Sequence, residues 1–239
     1  MLTAVLVVAA TFATSVLSAV AGFGGGVLLL SVFIAVFGTR DAVAILTVAQ
    51  LASCVGRVWF NRAEVDGRLV RTFAVGAVPA AAAGAVLFSI VSAPVLTRVI
   101  GGLVLVMVAW RRWRPRGLRL DDTAFVLVGA ASGFGSALTG AAGPMVAPFL
   151  LARGLVRGAY IGTEAAAALL MHLVKLVVFA AVAVLTPTGA LTGLALAPAS
   201  AAGAWAGKKI TDRLPTAAFI VVVELALVAA GLLLLITGG

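Results

Sequence analysis

One stretch of the chain carries Gln50, Ser53, Cys54 and Arg57 at i, i+3, i+4 and i+7, which on a helix gathers an amide, a hydroxyl, a thiol and a guanidinium into one stripe. A second carries Glu164, His172 and Lys175, with Thr163 beside the glutamate. His172 and Lys175 are neighbours at i,i+3, and Glu164 shares a face with Lys175 about three turns away. Both stretches are otherwise apolar. Charges in such surroundings face a partner or a cavity, or snorkel to an interface. Where they face a cavity, Arg57 and Lys175 supply positive charge for an anion, and His172 supplies either a packed hydrogen bond or a proton relay. Glu224, in the last apolar run, and Glu164 are the carboxylates placed to couple an ion. Glu164 also has a simpler reading, as a carboxylate favoured by a helix N-terminus, and Glu224 one as a partner for Lys175 or Arg57.

Other chemistries fit less well. Ser136 and His172 would be the nucleophile and base of an intramembrane hydrolase, but nothing in the sequence orients the histidine and "GFGSA" lacks the residues expected around such a serine. With one cysteine, one histidine and few intramembrane carboxylates, neither a disulfide nor a metal site is expected. No residue is assigned as catalytic, and no cofactor is expected: "GFGGGV" lacks the third glycine of a dinucleotide fingerprint, and "GSALTGAA" has no lysine after its second glycine.

The elements that must position these residues are membrane helices. Of 239 residues, 63% are hydrophobic and 10% charged, a balance outside the range of soluble domains. Apolar runs near the length that crosses a bilayer recur along the chain, without the alternation of a barrel strand. The net charge of +9 resides in short clusters between those runs, as topology requires, rather than in a nucleic-acid surface. The first run, 2–20, has no basic segment before it and no clear cleavage site, so it reads as retained structure.

The chain also repeats itself. An offset of 118 places "AVAGFGGG" over "ALTGAAGP", so that Gly22 matches Gly140, Gly25 matches Gly143, and Gly26 matches Pro144. The same offset sets Cys54 on His172 and Arg57 on Lys175, and an offset of 119 pairs Pro79 with Pro198 and Gly84 with Gly203. The expected fold is therefore an all-α polytopic membrane protein of two inverted repeats, each a Gly-rich helical hairpin followed by three transmembrane helices. Repeat one spans 1–117, with hairpin 2–37 and helices 42–60, 72–91 and 95–110; repeat two spans 118–239, with hairpin 121–152 and helices 159–181, 190–207 and 216–236. The dense basic loop 111–119 is expected in the cytoplasm of a multi-pass plasma-membrane protein, with both termini outside. Of the basic residues only Arg40 and Arg98 then fall outside, with Arg57 and Lys175 inside helices.

Glycine-rich breaks within hydrocarbon are tolerated where protein or a water-filled cavity satisfies the backbone. The two tips are expected to enter from opposite faces, meet near the midplane, and present the N-termini of two short helices to an anion. The substrate-binding set is then Gly22, Gly24, Gly25 and Gly26 from one tip, Thr139, Gly140, Gly143 and Pro144 from the other, and Gln50, Ser53, Arg57, His172 and Lys175 from the following helices. The small-xxx-small pairs Gly129/Gly133, Gly158/Gly162 and Gly203/Gly207 read as close helix packing instead.

The early "GFGGG", the basic midpoint loop, "GFGSALTGAAGP", "YIGTEAAAALLMHLVKLVVF" and the two Pro-x4-Gly helices, in this order and spacing, make the chain resemble the sulfite exporter TauE/SafE family of membrane permeases. The resemblance covers nearly the whole sequence. It implies an inverted-repeat secondary transporter of a small anion, such as sulfite, an organosulfonate like sulfoacetate, or a related carboxylate, with a site involving the 22–26 and 139–144 tips, His172 and Lys175. Many members carry a Thr-Ser pair where this chain has Thr163-Glu164, so the substrate does not transfer directly. The expected partners are a small anion, the lipid bilayer, a proton or sodium ion for coupling, and a second copy in a homo-oligomer, with no nucleic acid. A non-transporting assembly subunit is the remaining alternative, and duplicated breaks in the membrane argue against it.

Overall fold

The computed structural model describes residues 2–22, 25–112, 121–140, 143–155, 157–211 and 232. Among them are nine α-helices and no strand: α1 Leu2–Ala21, α2 Gly25–Phe37, α3 Thr39–Asn61, α4 Gly67–Ile90, α5 Ala93–Arg112, α6 Asp122–Thr139, α7 Gly143–Ala152, α8 Arg157–Ala181 and α9 Pro187–Thr211. The protein is an all-α polytopic membrane protein. The segment expected as helix 216–236 and the basic loop from residue 113 onward lie outside the described residues.

Local chemistry sets the boundaries. α4 begins at Gly67, well before its apolar run, because the Asp66 carboxylate accepts the Leu69 N–H at 2.9 Å and caps the first turn. Asp121 does the same for α6 by accepting from Ala124 N at 2.7 Å. α1 and α6 each end on a glycine in the left-handed region, Gly22 at φ 74° and Gly140 at φ 71°, where an L side chain would be strained. α2 and α7 each restart three residues later, at Gly25 and Gly143. Both breaks thus fall inside the expected hairpins.

The arms of those hairpins are unequal. α1, at 20 residues, is about 30 Å long and as able to cross a bilayer as α3, α4 and α8, whereas the 13 residues of α2 and 10 of α7 are too short. Apolar side chains such as Val75, Leu127, Val177 and Leu191 point outward, as a lipid solvent permits.

The packing crosses between the two halves of the sequence. α1 lies along α9 and α4 along α6, while α3 packs against both α8 and α9, and α4 also meets α8. Two helices approach this closely because glycines remove the side chains between them. A Cβ on Gly76 would overlap the Val126 carbonyl, and one on Gly129 or Gly133 would meet the Phe73 or Ala77 backbone. Gly203 and Gly207 serve the α1–α9 seam in the same way, against Phe12, Ser15, Val16 and Ala19. Gly158 and Gly162 sit against Glu64 and Asn61. All three small-residue pairs are packing positions, as expected.

Polar contacts tie the ends of the bundle together. At one end Arg68 and Arg153 each donate to Asp122 at 3.0 Å, and Lys208 Nζ donates to Asn61 Oδ1 at 3.1 Å. At the other, Arg40 donates to the Val91 carbonyl at 2.7 Å. Arg68, Arg153 and Lys208, expected on one side of the membrane, gather at one end of the molecule.

A valine at Gly76 or Gly133 should overpack the α4–α6 seam and destabilise the protein by about 1–3 kcal/mol. Gly102→Ala, on a helix where a Cβ meets nothing within 4 Å, serves as control and should melt like the parent. Thermal unfolding in detergent measures both.

Candidate functional site

The polar stripe of α3 meets that of α8. Gln50, Ser53, Cys54 and Arg57 are all buried, as are Thr163, Glu164, His172 and Lys175 on the facing helix. Arg57 runs no deeper toward solvent than 5% exposure and Lys175 shows none, so neither side chain snorkels out of the bundle. The Arg57 guanidinium instead donates to the Glu164 carboxylate in a buried ion pair, and its other terminal nitrogen donates to Cys54 Sγ at 3.4 Å. Glu164 lies two turns into α8 and is the partner of a cation, rather than a carboxylate resting on a helix end.

Lys175 takes a different solution. Its ammonium donates to the Ser136 carbonyl at 3.2 Å, the Ser136 hydroxyl at 3.1 Å and the Gly140 carbonyl at 3.5 Å. These acceptors belong to the last turn and cap of α6, where the Ser136 carbonyl also accepts from Gly140 N at 2.9 Å and the negative end of the helix dipole favours a cation. Three acceptors match the three N–H bonds of an ammonium. No carboxylate is paired with Lys175 among the described residues.

Around these two cations, buried polar atoms stand without hydrogen-bond partners: Gln50 Oε1, Ser53 Oγ, Arg57 Nε and His172 Nδ1. Buried polar atoms in native proteins are nearly always satisfied, and several orphans on one pair of facing helices mark a place where a polar ligand or water belongs.

The hairpin tips bracket this layer but do not face each other. Gly22 lies against the Tyr160 ring at the start of α8, and Gly140 lies against Leu46 and Lys175. Tyr160 and Lys175 are about 22 Å apart along one helix axis, so the meeting at the midplane expected from the sequence does not occur. The longer α1 and α6 arms account for this, carrying each break past the middle of the bundle. Each tip is also closed on its own hairpin. A Cβ on Gly25 would overlap the Thr14 carbonyl and Ser18, and one on Gly135 would overlap Met145. Gly26 and Gly143 are buried at the starts of α2 and α7, Pro144 follows as the second residue of α7, and Thr139 ends α6 with its hydroxyl donating to Gly135 O at 2.9 Å. Gly24 and Glu224 lie outside the described residues.

No hydrogen bond joins Ser136 to His172; the serine hydroxyl rests on Lys175, and the nucleophile–base arrangement is not formed. Among the described residues no cluster of three His, Cys, Asp or Glu side chains could hold a metal. Two participants, Asn61 and Tyr160, were not singled out in the sequence, and a third, Ser136, was considered only as a nucleophile. Asn61 donates to the Arg57 carbonyl at 2.7 Å and accepts from Lys208. Tyr160 covers the first tip. Ser136 matters as a lysine ligand, and its signal was the 118 offset, which places Ser18 on Ser136 within the aligned tips.

Fold and site together define a multi-pass helical membrane protein with a charged polar layer buried in its core. The chain belongs to the sulfite exporter TauE/SafE family, whose sequence profile matches residues 7–234. It is thereby a member of a family of membrane transporters for sulfite-type anions. No curated protein and no solved structure matches the chain.

Arg57→Gln or Glu164→Gln alone should cost about 3–5 kcal/mol by stranding one buried charge, while Arg57→Gln/Glu164→Gln should recover most of that loss. A double-mutant cycle on the melting temperature tests the pair.

Proposed function

We propose that the protein is a secondary transporter of a small anion, sulfite or an organosulfonate such as sulfoacetate, or a related carboxylate, held in the polar layer between α3 and α8. The observation that supports this reading above others is a fully buried lysine with no paired carboxylate among the described residues, beside orphaned polar atoms on both helices. In an apolar core such a cation and such atoms are costly unless something complements them. A small anion beside Lys175 does so, supplying the negative charge that the lysine lacks.

The 118-residue spacing of the Gly22 and Gly140 caps and of the α2 and α7 starts favours two structural repeats, 1–117 and 118–239, inverted relative to one another in the membrane. On this reading the termini are outside, the 111–119 loop is cytoplasmic, and the membrane is the plasma membrane. The hairpins move against the α3–α8 layer and open it to either side in turn. Lys175 is central to that motion because it holds the second tip by the end of α6 and must share its ammonium with the anion when one binds. Coupling falls to a proton or sodium ion, with Glu224 and Glu164 the candidate carboxylates, the latter engaged by Arg57.

The purified protein should melt at higher temperature with its anion, and Lys175→Ala should weaken that binding by about 2–5 kcal/mol. Flux of the same anion into proteoliposomes, with and without a proton or sodium gradient, gives the second measurement. A panel of sulfite, sulfate, sulfoacetate, taurine and short carboxylates that neither stabilises the protein nor moves across the vesicle would overturn the reading.

A further inference from the structure

The geometry points to a binding site for an anionic phospholipid headgroup on the outer face of the α3–α9 seam, built by Trp59, Arg62, Trp205, Lys208 and Lys209. The site lies outside the α3–α8 polar layer, and its occupancy is independent of any transported anion. α3 and α9 run side by side in the same direction: a Cβ on Gly193 would meet Val48, one on Gly56 would lie 3.5 Å from Ala204, and further along Lys208 donates to Asn61. From the Gly56–Ala204 contact, Trp59 follows three residues later and Trp205 one residue later, rotations of about −60° and about +100° around their helices. Parallel neighbours face each other, so opposite rotations bring both rings to the same side of the seam. Arg62 and Lys209 continue the same two stripes, within about 3 Å of each other in height.

That side is open. Trp59 is 62% exposed and Trp205 51%, the former at the end of a helix long and apolar enough to cross a bilayer. Exposed indoles at that height belong to the interfacial belt, where the ring meets lipid and the N–H meets the headgroups. Each ring carries a cation: the Arg62 guanidinium lies 4.5 Å from the Trp59 centroid, and the Lys209 ammonium 3.9 Å from that of Trp205. Arg62 uses one donor on the Trp59 carbonyl and Lys208 one on Asn61 Oδ1, while Lys209 donates to nothing among the described residues. A helix C-terminus favours a cation nearby, but it does not explain three cations with most of their N–H bonds unused beside two exposed indoles. The next acids along the chain from Arg62 are turned away, Glu64 against Gly158 on α8 and Asp66 to the cap of α4. Past the described end of α9 the sequence adds Asp212 and Arg213, one charge of each sign, and the sum is unchanged. A phosphodiester supplies the oxygens these donors lack, and its glycerol and acyl chains cover the two rings, which a free phosphate cannot do. A zwitterionic headgroup brings a cation of its own to the same place and fits less well.

The test uses the purified full chain in micelles of an uncharged detergent, titrated with phosphatidylglycerol, phosphatidylcholine or inorganic phosphate. Melting temperature and the lipid retained in native mass spectrometry are the two readouts. Phosphatidylglycerol should stabilise the protein at about tenfold lower concentration than phosphatidylcholine, an advantage that shrinks as salt is added. Arg62→Gln/Lys209→Gln should weaken phosphatidylglycerol binding by about tenfold or more, and Trp59→Leu/Trp205→Leu should weaken it several-fold. Arg71→Gln, which removes an exposed cation from the first turns of α4, should bind the lipid as the parent does.

Equal binding of phosphatidylglycerol and phosphatidylcholine by the parent protein would overturn the inference. So would stabilisation by inorganic phosphate at the concentrations where the lipid acts, or a loss on Arg71→Gln as large as that on Arg62→Gln/Lys209→Gln. The comparison of the two lipids and phosphate on the parent protein decides the matter even where a variant fails to fold.

Discussion

A guanidinium buried in an apolar bundle must find a carboxylate, and the pair formed by Arg57 and Glu164 is the constraint on which this architecture turns. It fastens α3 to α8, the two helices that carry the buried polar residues, and fixes their antiparallel register: Arg57 near the end of α3 lies level with Glu164 near the start of α8. With that register set, Leu46 and Lys175 fall at the same height, and both meet the Gly140 tip. The glutamate also balances the guanidinium, leaving Lys175 without a paired carboxylate among the described residues.

The two halves solve the same problem differently. At positions related by the 118 offset, Lys175 is satisfied by backbone carbonyls and a hydroxyl at the end of α6, whereas Arg57 is satisfied by a side chain. A compact ammonium fits a ring of helix-end oxygens, and a planar guanidinium fits a carboxylate. The residue that makes this difference is Glu164, whose counterpart at the same offset is the apolar Leu46.

Much of the fold could be read from the sequence because hydrophobicity and glycine placement are local signals. Runs of apolar residues located the helices, and the clustered glycines at 22–26 and 140–143 located both breaks to within a residue or two. The polar stripe on α3 and the cluster on α8 were equally legible, since spacing on a helix determines which residues share a face. Depth was not. The tips were expected to meet at the midplane; the lengths of the α1 and α6 arms were legible as apolar runs, but how deep each arm sits against its neighbours is set by packing, which run lengths do not give. Partner choice was not legible either. The sequence offered Glu224 as a partner for Arg57 and read Glu164 as a helix-end or coupling carboxylate, and the packing of α3 on α8 is what brings Glu164 to the guanidinium.

The crossed packing of α1 on α9 and of α6 on α4 also governs how the protein is made. α1 leaves the ribosome before every other described helix, and the glycine-lined surface it needs, around Gly203 and Gly207, is translated only after α2 to α8 have followed. Until then its small-residue face has no mate, and contacts so distant in sequence are slow to form. α4 and α6 are separated by far fewer residues, so their seam is available to the growing chain well before the α1–α9 seam is.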